Sequence, residues 1–333
     1  MRRRPVLRRV SNRAKDLLFL PGTGRLWRER LKGKVMALVY HRVDDPSRFD
    51  FLERGGTPVI RPEALADELA WLKAHGARFK TLADLRRGEL PAADEWGVLV
   101  TFDDGFRDNY RLGLEVLDSL DIQGVLFQCS AMIDGAELIP EHALYWHAAQ
   151  PQNRQDLQAA VRDAGWPEAI DGGDQVLIDR VGRWIRHVPI ASLTGVVERM
   201  GARHSTQELA SALYPTAADL RRAVAGGHEI GSHGHRHLHR ATLSAVEFEH
   251  ELLASVGCIK AKAGVRPQAF SYPFNGYRPG DREICSRYFR QTLTVDGRAI
   301  ERGTDPLAMA RFTWPGPARN RLRLRRWLLT GRI

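Results

Sequence analysis

A chain of 333 residues is long enough for one large domain or two ordinary ones, and its 43% hydrophobic content excludes wholesale disorder. Three scattered cysteines, Cys129, Cys258 and Cys285, exclude a disulfide framework and fit a reducing compartment. The net charge of +10 sits at the ends, because residues 1–34 hold twelve Lys/Arg and two Asp/Glu while residues 319–333 hold six Arg and no acid, leaving the body between them mildly acidic.

Residues 1–34 read as a basic, partly helical extension. Their apolar run Leu17-Leu18-Phe19-Leu20 meets Pro21-Gly22 and is too short for the h-region of an export signal, of roughly 7–15 residues. No segment approaches the roughly 20 apolar residues that cross a bilayer. The expectation is a cytoplasmic protein. The apolar run over residues 35–40 predicts a buried strand that ends in His41-Arg42-Val43. A helical pattern follows over residues 62–75, with Pro62 suited to its first turn and Leu65, Leu69 and Leu72 on one face. Residues 79–82 predict a second strand.

Residues 96–102 predict another buried strand, running into Asp103-Asp104-Gly105. A helix is expected over 107–120 and a strand over 124–129. The segment 137–215 breaks the rhythm with several amphipathic helical stretches and three tryptophans, Trp146, Trp166 and Trp184, so it reads as a helical insertion or lid. The alternation resumes with a helix over 216–226, a short strand over 228–233, a helix over 245–263, a strand over 269–273, a helix over 281–288 and a strand over 291–295. Strands alternating with helices argue a parallel sheet with crossover helices. About seven such units predict a distorted (β/α)7 barrel of the α/β class, whose polar residues of interest follow the strands on the face where such barrels place active sites.

Five of the twelve histidines fall within residues 228–239. His233 and His237 stand four apart, a spacing that on a helical turn puts both rings on one face, able to grip one cation. His228 and His239 read as structural, and His235 points elsewhere. Asp103 and Asp104 by themselves could be a turn or a helix cap. At a barrel strand end they can divide labour instead, one coordinating a metal and the other staying free as a general base for water. Two histidines and one carboxylate leave coordination positions open, as catalysis requires.

Thr101-Phe102-Asp103-Asp104-Gly105, taken with the run from His228 to His237, resembles the polysaccharide deacetylase (NodB homology, carbohydrate esterase 4) family. Tyr40-His41-Arg42-Val43 resembles its first-strand motif, and residues 270–276, Phe-Ser-Tyr-Pro-Phe-Asn-Gly, resemble its third. The resemblance covers roughly 35–315, interrupted by 137–215. It implies a metal-dependent hydrolase that removes N-acetyl groups from amino sugars of a glycan or of a lipid-linked precursor. It implies a divalent metal, zinc being the expected ion, held by Asp104, His233 and His237, with Asp103 as the general base.

Two departures stand out. Where the family often carries an Arg that orients the base, this chain has Ser271, with Arg278 and Arg290 as candidate substitutes. Where it often ends in a Leu-x-His motif, residues 307–314 hold no His, which makes His41 the candidate general acid or substrate contact. Tyr272, Pro273 and Phe274 are the candidate substrate-binding residues. Asp296 reads as a turn residue or an orienting acid. A catalytically impaired glycan-binding barrel is the alternative reading. The domain plan is a basic extension over 1–34, the barrel over 35–318 with its 137–215 insertion, and a basic amphipathic tail over 319–333. Arginines interleaved with Leu and Trp in that tail suggest peripheral contact with an anionic membrane surface at its inner face, rather than nucleic acid.

Overall fold

The computed structural model describes residues 29–166 and 173–313. The 319–333 tail and most of the 1–34 extension, on which the expectation of membrane contact rests, lie outside these residues. Within them no helix is long and apolar enough to cross a membrane.

The chain forms β1 (Val35–Tyr40), the short β2 (Arg42–Val43) and β3 (Val59–Ile60), β4 (Ala77–Phe79), β5 (Trp96–Phe102), β6 (Gly124–Gln128), β7 (Glu229–Ser232), β8 (Ala269–Ser271), β9 (Gln291–Thr294), β10 (Met309–Ala310) and β11 (Phe312–Thr313). The main sheet runs β10-β9-β8-β7-β6-β5-β1-β11, with every neighbouring pair parallel. Every residue of β1 and β5 is buried, as expected for strands covered on both faces. β4 adds to the start of β5, and β2 pairs with β3 in a separate two-stranded sheet that the sequence did not suggest. The 79–82 strand of the sequence reading falls instead at Ala77–Phe79, because Thr81 is already the cap of the next helix, with a reciprocal capping box to Asp84.

β10 and β11 are two halves of one extended segment. Met309 and Ala310 pair with β9, Phe312 and Thr313 pair with β1, and Arg311 lies between. This segment bridges the two ends of the sheet, so the strands form a nearly closed barrel. Counting it as one stave gives seven, the number the sequence suggested.

Crossover helices pack around the barrel. Pro62–Ala74 buries Leu65, Leu69 and Leu72, with Pro62 at its first turn. Ala245–Ala263 is capped by Ser244 and Glu247 and stopped by Gly264 in the left-handed conformation. Between β6 and β7 the chain forms helices Pro140–Ala149, Arg154–Asp163, Asp174–Trp184, Ile190–Arg203 and Gln207–Leu213. They share a core of Leu144, Leu157, Ile178, Val181, Val196 and Met200 that continues into Leu52, Phe106 and Met132 beside the strand ends.

Candidate active site and metal centre

The first acidic pair is placed by strand register. Tyr40 lies opposite Phe102, and the Asp103 amide donates to the Tyr40 carbonyl at 2.9 Å, extending the β1–β5 ladder by one residue. His41 and Asp103 therefore leave adjacent staves side by side. The backbone then turns sharply, with Asp104 at φ 66° and Gly105 at φ 71°. A Cβ at position 105 would lie 2.4 Å from Gln128 Oε1, so glycine is required both for the conformation and for the space.

His233 follows β7 directly, its amide bonded to the Gln128 carbonyl at 2.9 Å. Residues 233–237 do not form the helical turn on which four-residue spacing would align the two rings. These residues form an irregular loop, and His237 itself has φ 58°. Glu251 replaces the missing helical bonds by accepting the amides of His235 and Arg236 at 3.1 and 2.9 Å. The two rings still meet, with centroids 5.0 Å apart. Both Nε2 atoms face Asp104 Oδ1, His233 at 3.4 Å and His237 at 3.3 Å.

Asp104, His233 and His237 thus offer three buried donor atoms within 4.8 Å of one another. One carboxylate and two imidazoles in this array fit a divalent cation of borderline softness and leave positions open for ligands from solvent or substrate. Burial opposes ionisation of Asp104, but hydrogen bonds to the two histidines outweigh it and hold its pKa well below the carboxylate range. Burial likewise opposes the His237 cation, yet Glu141 and Asp104 on either side raise its pKa to about 10.

Asp103 has a different partner. Arg311, fully buried between β10 and β11, binds it through two parallel bonds, Nη1 to Oδ1 and Nη2 to Oδ2, each 2.7 Å. Arg311 also donates to Thr101 Oγ1 at 3.0 Å and to Ser271 Oγ. Burial pushes the Asp103 pKa up, and Arg311 with His233 reverses that and holds it down. Neither sequence candidate for this role fills it. Arg278 donates to the Leu243 and Ala241 carbonyls, and Arg290 makes no contact with Asp103. Ser271 does reach Asp103, at 3.3 Å, but as a minor partner. Arg311 was missed because it comes from the last stave, far from the third motif. Its signal was an arginine set among Met309, Ala310 and Phe312 in a strand-like run, where a charge is buried only with a partner.

A cleft of about 250 Å³ opens onto these groups. Its lining includes His41, Tyr145, Arg186, Tyr272, Phe274 and Asn275. His41 Nδ1 is buried without a hydrogen-bond partner. Of the three third-motif residues, Tyr272 and Phe274 reach the cleft while Pro273 is buried behind them. Phe274 and Asn275 adopt left-handed conformations, φ 56° and 54°, and Asp296 braces the turn by accepting from Asn275 Nδ2, Tyr277 Oη and Thr294 Oγ1. The other histidines are engaged elsewhere: His228 accepts the Gly124 amide and faces Asp118, His235 meets Ser130 Oγ, and His239 accepts the Ala241 amide.

Among curated proteins no sequence matches the chain significantly. Among solved structures the chain is similar to IcaB from Ammonifex degensii, with 18% identity, 90% of this chain and 98% of that one covered, and a TM-score of 0.55. It is similar to the Streptococcus pyogenes deacetylase PplD in complex with acetate, with 15% identity, 85% and 93% covered, and a TM-score of 0.56. A de-N-acetylase from Aggregatibacter actinomycetemcomitans gives 14% identity, 84% and 94% covered, and a TM-score of 0.51. These likenesses bear on the fold. Residues 191–287, which include His233 and His237, match the family model described as polysaccharide deacetylase. That match covers part of the chain, and the solved structures share its barrel, so the chain is similar to polysaccharide deacetylases over residues 191–287 and in fold.

Proposed function

We propose that the protein removes N-acetyl groups from amino sugars of a glycan or lipid-linked glycan precursor, with a divalent cation, zinc as the expected ion, held by Asp104, His233 and His237. The observation that carries this reading is the burial of that trio beside an ionised Asp103 at the catalytic face of the barrel. A cation bound there supplies Lewis acidity, polarising the amide carbonyl and making a ligated water more acidic.

The chain's own groups do the rest. Arg311 fixes Asp103 in position and in its charged state, so Asp103 is ready to take a proton from the attacking water. His41, beside Asp103 and lining the cleft, delivers a proton to the departing amine. Tyr145 and Phe274 offer aromatic surface to a sugar ring, and Arg186, which makes no ion pair among the described residues, offers a positive charge at the rim. That charge supports a substrate with a phosphate or other acidic group nearby, as a lipid-linked precursor has. With the basic ends of the chain it supports work at the inner membrane face. The impaired-barrel alternative drew on a missing base-orienting Arg and a missing C-terminal His; Arg311 answers the first, and the second rests on His41.

The test is acetate release from N-acetylglucosamine oligosaccharides and from lipid-linked forms. Activity should vanish on chelation and return with zinc. Asp103→Asn should retain the metal and lose turnover. Unchanged turnover in that variant would reject Asp103 as the base, and absence of acetate release from every acetamido sugar would reject the activity.

A further inference from the structure

His233 and His237 each direct Nε2 toward Asp104, which leaves each ring with Nδ1 to satisfy. His233 Nδ1 meets the Ser271 carbonyl at 2.8 Å. That bond fixes the ring and its tautomer, with the proton on Nδ1 and the lone pair of Nε2 free to ligate. His237 Nδ1 is buried and makes no well-aligned hydrogen bond, but Glu141 Oε1 lies 3.3 Å away. Glu141 is 9% exposed and stands in the first turn of Pro140–Ala149, the first α-helix of the segment between β6 and β7. It lies outside the stretch matched by the family model.

We propose that Glu141 is the positioning residue of His237. Its carboxylate accepts a hydrogen bond from Nδ1–H, holds the ring with Nε2 toward the cation, and strengthens Nε2 as a ligand. The inference rests on the metal-dependent reading above and deepens it: one of the two imidazole ligands is set by a helix outside the barrel. The plainer role, an acid favoured in a helix first turn, predicts an effect on folding and none on the cation.

Competition with a chromophoric chelator measures the zinc dissociation constant of the metal-stripped full chain at fixed pH, alongside thermal unfolding of the same sample. Glu141→Ala should weaken zinc binding by about 10–100-fold while unfolding as a single transition near that of the stripped parent. Glu141→Gln keeps an oxygen acceptor without the charge and should fall between the two. If Glu141→Ala fails to fold, the near-isosteric Glu141→Gln decides, weaker binding supporting the proposal. A zinc affinity within about threefold of the parent in a folded variant would overturn it. A parent chain that binds no zinc would overturn the metal reading itself, a result the variants cannot mimic.

Discussion

Arg311 and Asp103 are a fully desolvated pair, and removing one member strands the other. Arg311→Met should cost about 3–5 kcal/mol of stability, the usual loss when a buried ion pair is broken from one side, read from denaturant unfolding. Asp103→Asn combined with Arg311→Met should cost less than the sum of the two, since the second change relieves the charge that the first would strand; strict additivity would mean that the pair is not coupled. His41 is open to a sharper test. Its replacement by Gln should lower kcat on acetamido sugars by about 10²–10⁴-fold, yet spare an aryl acetate whose leaving group needs no proton. Equal losses on both substrates would assign His41 to binding or structure.

At the scale of the element, the helix Pro140–Ala149 carries two histidines that are buried neutral. Burial lowers the His142 pKa to about 3 and the His147 pKa to about 4. Both lie below the value of about 6.5 expected in the unfolded chain. Between pH 6.5 and 4 the unfolded chain therefore binds protons that the folded chain refuses, so stability is full above 6.5 and drains away as pH falls. The melting temperature should drop through that window, and His147→Gln should flatten the drop; an unchanged slope would remove His147 as a cause. The loop that bears His233 and His237 teaches a different lesson. Its spacing indicated that the two rings would share a cation, but not how. A left-handed residue at 237 and a distant carboxylate, Glu251, are what bring the rings together, and neither leaves a local sequence signal. Glu141 is hidden for the same reason, being one acid among many until a helix brings it to His237.

At the scale of the whole molecule, the parallel barrel was readable because its central staves are continuous apolar runs ending in polar residues. That pattern placed Asp103, Asp104 and His233 on one face. The closing stave was not readable, because four paired residues split by a charge carry too little periodicity to be recognised. Hydrogen exchange checks the closure: the amides of 309–313 should be protected to the level of β1 and β9, and much faster exchange there would mean an open seam. The position of Arg311 in that seam has a consequence for the order of events in folding. Until the last stave docks, Asp103 lacks the guanidinium that offsets the cost of burying its charge. Closure of the barrel and the pairing of Asp103 are therefore one event, and a half-made chain already holding His233 and His237 would still lack the proposed base in its held, charged form.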